Sequence, residues 1–156
     1  MNILFISSNL IGDSILSTGI LAHIVESNKN AKITIVTGPT AKQLFEDFPQ
    51  ISNIITIEKK KFSFHWVTLW MKLINSKWDL VIDLRSSLLS YLLRGNRRMI
   101  FRKNMDPVHQ VEKLSNFMNL GKILLPKIFI NNNKNEAAKQ IIGIKNVIAI
   151  APGGNW

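Results

Sequence analysis

Two rhythms of apolar and polar positions alternate along the chain: short apolar runs, and longer stretches in which apolar residues recur at three- and four-residue intervals. The runs predict strands at about 2–7, 32–37, 53–57, 78–84, 97–101 and 146–151. Between the first two, Ile11, Ile15, Leu16, Ile20, Leu21, Ile24 and Val25 keep helical spacing, and the polar Ser27-Asn28-Lys29-Asn30 ends the helix. Thr37-Gly38-Pro39-Thr40 predicts a turn into a helix through Phe48, which Pro49 stops. Strands that alternate with helices imply an α/β fold, a Rossmann-like, doubly wound and mostly parallel sheet.

The third crossover is more aromatic. Lys59-Lys60-Lys61 leads into Phe62, Phe64, Trp66, Leu69, Trp70, Met71, Leu73 and Ile74. Such a basic, tryptophan-bearing segment could lie in a bilayer interface, but a parallel sheet needs a crossover helix here, and packing on the sheet is the preferred reading. Further on, His109 starts a helix through Leu120 that Gly121 ends. Asn131-Asn132-Asn133-Lys134-Asn135 reads as a linker, with a short helix from Glu136 and the strand Asn146-Val147-Ile148-Ala149-Ile150 after it. The organisation that follows is a domain over 1–130, a linker over 131–145, and the first strand and turn of another domain over 146–156.

Composition narrows the class. With 156 residues and 46% apolar content the chain can build one real core, and no apolar run approaches a membrane span. The absence of cysteine and of a signal-peptide pattern leads to the expectation of a cytoplasmic protein. A net charge of +10 asks for an anionic partner, although lysine supplies most of it in an Ile-, Asn- and Lys-rich chain. Arg94, Arg97, Arg98, Arg102 and Lys103 put five positive charges in ten residues, four of them arginines against that lysine bias, and are candidates for phosphate or carboxylate recognition, or else a solvated face around the turn at Gly95-Asn96.

The candidate chemistry concentrates where strands end. In Ser7-Ser8-Asn9-Leu10-Ile11-Gly12-Asp13, an apolar strand passes through a polar loop into a helix, so Gly12 permits close backbone approach and Asp13 sits in the first turn. Asp13 is either a helix cap or a carboxylate available for general-base work. Asp83 closes the strand Trp78-Asp79-Leu80-Val81-Ile82-Asp83-Leu84, and Arg85 reads as its structural partner, with contact to an anionic substrate as the alternative. His109 reads as a capping or packing residue. His23, His65 and His109 lack metal spacing, and the P-loop, nucleophile-elbow and dinucleotide fingerprints are absent, so no metal and no cofactor is expected.

These pieces, with Thr18, Val36-Thr37-Gly38-Pro39, Ser90, Val108-His109, Glu112 and Ala151-Pro152-Gly153-Gly154-Asn155-Trp156, resemble glycosyltransferase family 9, the lipopolysaccharide heptosyltransferase family. The resemblance implies two Rossmann-like domains of GT-B type, with this chain covering the acceptor half. It implies inverting, metal-independent transfer from a nucleotide sugar, ADP-heptose, to a Kdo–lipid A type acceptor at the inner membrane surface. Asp13 would be the general base, Ser8, Gly12, Arg85 and His109 would lie on the acceptor side, and Gly153 and Gly154 on the donor side. Arg94, Arg97, Arg98 and Arg102 join the acceptor side on charge alone, and Arg85 stands where relatives carry a polar residue.

Most donor contacts would belong to the second domain, so the expectation is a truncated or split enzyme, inactive unless a separate donor-domain chain completes it. A non-catalytic module for an anionic glycolipid is the second reading. A small Rossmann-type nucleotide- or nucleic-acid-binding protein is the third, although no nucleic-acid partner is expected.

Overall fold

The computed structural model describes residues 1–58, 64–102, 107–143 and 148. Its elements run β1 (Asn2–Ile6), α1 (Ile11–Ser27), β2 (Lys32–Thr37), a 3-10 helix (Pro39–Leu44), β3 (Ile51–Thr56), α2 (Phe64–Leu73), β4 (Trp78–Asp83), α3 (Leu89–Leu92), β5 (Gly95–Ile100), α4 (Gln110–Phe117) and α5 (Asn132–Ile142). The five strands are all parallel, in the order β3-β2-β1-β4-β5. Chain direction across the sheet therefore reverses between β1 and β4, and the crevice beyond their carboxyl ends is where such a sheet holds ligands. The strand expected at 146–151 lies outside the described residues.

The central strands are apolar on both sides because both are covered: Ile3, Leu4, Phe5 and Ile6 are fully buried. On one face, Ile3 and Phe5 pack with Ile20, Leu21, Ile24, Phe45 and Phe48 beneath α1 and α4. On the other, Leu4, Ile6 and Val81 meet Leu69 and Leu73 of α2 and Leu89 of α3. The aromatic crossover is thus a helix packed on the sheet, with Trp66 and Trp70 leaning against the same core.

An extended strap from 122 to 131 covers α1. It crosses at Gly19, where an added Cβ would collide with the carbonyls of Leu124 and Leu125. The Thr18 hydroxyl accepts from Lys127 N–H at 3.0 Å, and Ser115 Oγ accepts from Leu124 N–H at 2.8 Å. This closeness explains why α1 can be buried almost all round between Ser17 and Val25.

Three elements differ from the sequence reading. The helix expected to reach Phe48 is a 3-10 helix ending at Leu44, after which Phe45 and Phe48 turn down into the core. α4 stops at Phe117, and Asn119 and Gly121 then take left-handed conformations that turn the chain into the strap. The helix expected from Glu136 begins at Asn132, because Asn131 caps it by accepting Lys134 N–H at 2.8 Å.

Candidate functional site

Gly38 lets the turn after β2 press against the β1–α1 loop, since an added Cβ would stand 2.7 Å from the Asn9 carbonyl. The Ser8 carbonyl accepts from Thr37 Oγ1 and from Ser14 Oγ, both at 3.1 Å. Ser8 Oγ accepts Leu10 N–H at 3.1 Å and donates to Asp13 Oδ2 at 3.2 Å. Asp13 is exposed and makes no cap: the helix is capped by Leu10, without a side-chain bond. Beside it, Gly12 is also exposed, and a Cβ there would meet no protein atom within 4 Å. Packing gives no reason for glycine at that position, and open space next to a carboxylate suits the close approach of a ligand.

Asp83 has a different environment. It is fully buried at the end of β4, where Oδ1 accepts Arg85 N–H at 2.8 Å and Oδ2 accepts Ser87 N–H at 2.8 Å. The hydroxyls of Ser87 and Ser90 each donate to the same Oδ2 at 2.5 Å. These bonds wrap the 84–88 loop around the carboxylate and hold Ser86 at φ 53, a conformation uncommon for a side chain of its kind.

Arg85 does not pair with Asp83 through its guanidinium, which corrects the structural reading of that residue. Nη1 donates to Asn9 Oδ1 at 3.0 Å, and the guanidinium carbon lies 4.9 Å from the centre of the Trp66 ring. Burial lowers its pKa somewhat, against the attraction of the Asp83 charge, and it stays cationic at neutral pH. Only the backbone N–H of Arg85 serves Asp83, so the cation is left facing a cavity of about 710 Å³ walled by Trp66, Trp70, Arg85, Ser87, Leu88 and Leu92.

Ser8 in the β1–α1 loop and Gly12 and Asp13 in the first turn of α1 therefore sit together, joined to Arg85 through Asn9. The arginine cluster is divided. Arg97 pairs in register with Leu80 and Arg98 with Val81, whose side chains belong to opposite faces of the sheet. Arg98 is occupied by the carbonyls of Ser90 and Leu93, at 2.9 and 2.6 Å. Arg94 and Arg102 flank opposite ends of β5, both exposed. His109 is the N-cap of α4, its Nδ1 accepting Val111 N–H at 3.3 Å. Gly153 and Gly154 lie outside the described residues. Asn9 and Trp66, which position Arg85, were not singled out by sequence reasoning; Asn9 lay inside the loop motif, but nothing marked it as a partner for a residue 76 positions away. Among the described residues no group of His, Asp and Glu could hold a metal ion, and no helix is long and apolar enough to cross a membrane.

No protein-family model and no curated protein matches the sequence significantly. Solved structures do. A glycosyl transferase of family 9 from Veillonella parvula matches with a TM-score of 0.67 at 18% identity, over 99% of this chain and 56% of that one. The E. coli heptosyltransferase WaaC with ADP matches with a TM-score of 0.60 at 16% identity, over 81% of this chain and 50% of that one. The E. coli ADP-heptose lps heptosyltransferase II gives 0.57 at 15% identity, over 93% and 51%. The chain spans about half the length of these structures. At such identities the shared property is the fold: a Rossmann-like α/β domain of the kind that makes up about half of a GT-B glycosyltransferase.

Proposed function

We propose that this domain is the acceptor half of an inverting, metal-independent glycosyltransferase, with a nucleotide sugar of the ADP-heptose type as donor and an anionic glycolipid of the Kdo–lipid A type as acceptor. The observation that carries the reading is the passage from β1 into the first turn of α1, where an exposed carboxylate, Asp13, held by the Ser8 hydroxyl at 3.2 Å, stands beside open space at Gly12. Arg85, reached through Asn9, adds a fixed cation on the next strand's loop. The likeness in fold to two heptosyltransferases supports the choice of sugar donor.

In this mechanism the acceptor hydroxyl oxygen attacks the anomeric carbon, the bond from that carbon to the diphosphate breaks, and ADP leaves with the electron pair. Asp13 takes the hydroxyl proton. Its contribution rests on reach and orientation, which the Ser8 bond supplies. Arg85 pairs with an acidic group of the acceptor, and its contacts with Asn9 and Trp66 fix its direction beforehand. Contacts to the leaving diphosphate are left to the half of the neighbours' length that this chain does not cover.

The test is sugar transfer from ADP-heptose to Kdo–lipid A, with this chain supplemented by a donor domain. Transfer that depends on both parts and falls by about 100-fold or more in Asp13→Asn is expected. Acceptor binding without any transfer would replace this reading with that of a glycolipid-binding module.

A further inference from the structure

The cavity of about 710 Å³ at Arg85 is walled by α2, α3 and the 84–88 loop, and its size is ordinary for a small-molecule site. Its walls are apolar: Trp66, Val67 and Trp70 come from α2, Leu88 and Leu92 from the loop and α3. Val67, Leu88 and Leu92 are each more than half exposed, Leu88 by 80%. The two serines that line it are spent on the protein, Ser86 Oγ donating to the Phe101 carbonyl and Ser87 Oγ to Asp83. The Trp70 indole N–H is sealed from solvent without a partner, so it offers the open space no polar contact.

Arg85 is the exception. It is partly buried, spends Nη1 on Asn9 and lies 4.9 Å from the centre of the Trp66 ring, while Nε and Nη2 make no hydrogen bond among the described residues. A guanidinium partly removed from water with donors unspent is costly until an anion meets it. Asp83 cannot serve, because it is fully buried with its oxygens taken by two backbone N–H groups and two hydroxyls. The described lining thus joins one fixed cation to apolar walls and contains no acid.

That combination selects the occupant. An inorganic anion would leave the walls against water, and a neutral hydrocarbon would leave the cation unmet. A second copy of this chain would bring a net charge of +10 towards Arg85. Leucine and valine walls suit a flexible saturated chain, and a terminal carboxylate suits the guanidinium fork. We propose that the cavity binds a small anionic amphiphile, a single saturated acyl chain ending in a carboxylate, with the carboxylate on the free N–H groups of Arg85 and the chain along Val67, Trp70, Leu88 and Leu92. The inference stands without sugar transfer; where the same cation meets an acceptor, a bound acyl anion competes for it.

Titration calorimetry of the full chain with octanoate, decanoate, dodecanoate and decanol, below their micelle-forming concentrations, tests it. Affinity should rise about fourfold for each added CH₂, and decanoate should bind about tenfold or more tightly than decanol. Arg85→Met should remove that headgroup preference and leave decanol binding unchanged, which also reports an intact cavity. Leu92→Gln should weaken both ligands while its melting temperature matches the native chain, because the side chain is exposed. Lys77→Met, which removes an exposed cation before the other end of β4, should change neither. The proposal is overturned if decanoate shows no saturable binding, if decanol binds as tightly, if Arg85→Met or Leu92→Gln binds decanoate like the native chain, or if Lys77→Met weakens binding as much as Arg85→Met.

Discussion

Asp13 comes soon after β1 and Asp83 ends the neighbouring strand β4, yet they occupy opposite environments. Asp83 is sealed from solvent and saturated by two backbone N–H groups and two hydroxyls. Asp13 is exposed and holds one hydroxyl, from Ser8. A carboxylate whose acceptor sites are filled by its own loop acts as an anchor for that loop, whereas one with free acceptor sites and space around it can take a proton from something else. The difference arises from the following residues: Ser87 and Ser90 turn back onto Asp83, while Gly12 leaves the side of Asp13 open.

The comparison can be broken most forcefully at Asp83. Asp83→Ala strands four donors in the interior and should cost about 3–5 kcal/mol, read by denaturant unfolding. Gly38→Ala comes next, because its Cβ would strike the Asn9 backbone; about 1–3 kcal/mol is expected, with loosening of the β1–α1 loop seen in hydrogen exchange. Gly12→Ala is its counterpart: stability should stay within about 0.5 kcal/mol, since its Cβ meets nothing, while acceptor binding measured by titration calorimetry should weaken. A neutral effect of Gly12→Ala on both would remove the case for ligand approach there.

The smallest effect concerns a third carboxylate, Asp47. The Lys134 ammonium and the Asn131 hydrogen bonds hold its carboxyl below the ordinary value and tie the start of α5 to the domain. Since the folded pKa is the lower one, this tie is complete above the ordinary carboxylate value and is lost as pH falls through the lowered one. Amide exchange in α5 should therefore accelerate in acid, and Lys134→Met should flatten that dependence.

Much of this was legible in the sequence, and the failures have physical causes. The periodicity located all five described strands and α1, because buried parallel strands and a helix under a strap are apolar enough to stand out. The helix after Gly38 was overextended because Phe45 and Phe48 keep helical spacing with Ala41 although the chain has already turned. Asn131-Asn132-Asn133 looked like a linker by composition, and only the Asn131 cap and the Asp47 contact reveal a helix. At the site, the loop motif pointed to Ser8, Gly12 and Asp13. The partnership of Arg85 was misread because adjacency in sequence favours Asp83, while the fold brings Asn9 and Trp66 to the guanidinium. Likewise, five cations in ten residues looked like one cluster until strand alternation placed Arg97 and Arg98 on opposite faces.

The most direct measurement is thermal unfolding of Asp13→Asn beside Asp83→Asn, two isosteric changes that each remove one charge. Asp13→Asn is expected to melt within about 2 °C of native and Asp83→Asn at least about 6 °C lower. Equal losses, or an unshifted Asp83→Asn, would contradict the division between an anchoring carboxylate and one free to act.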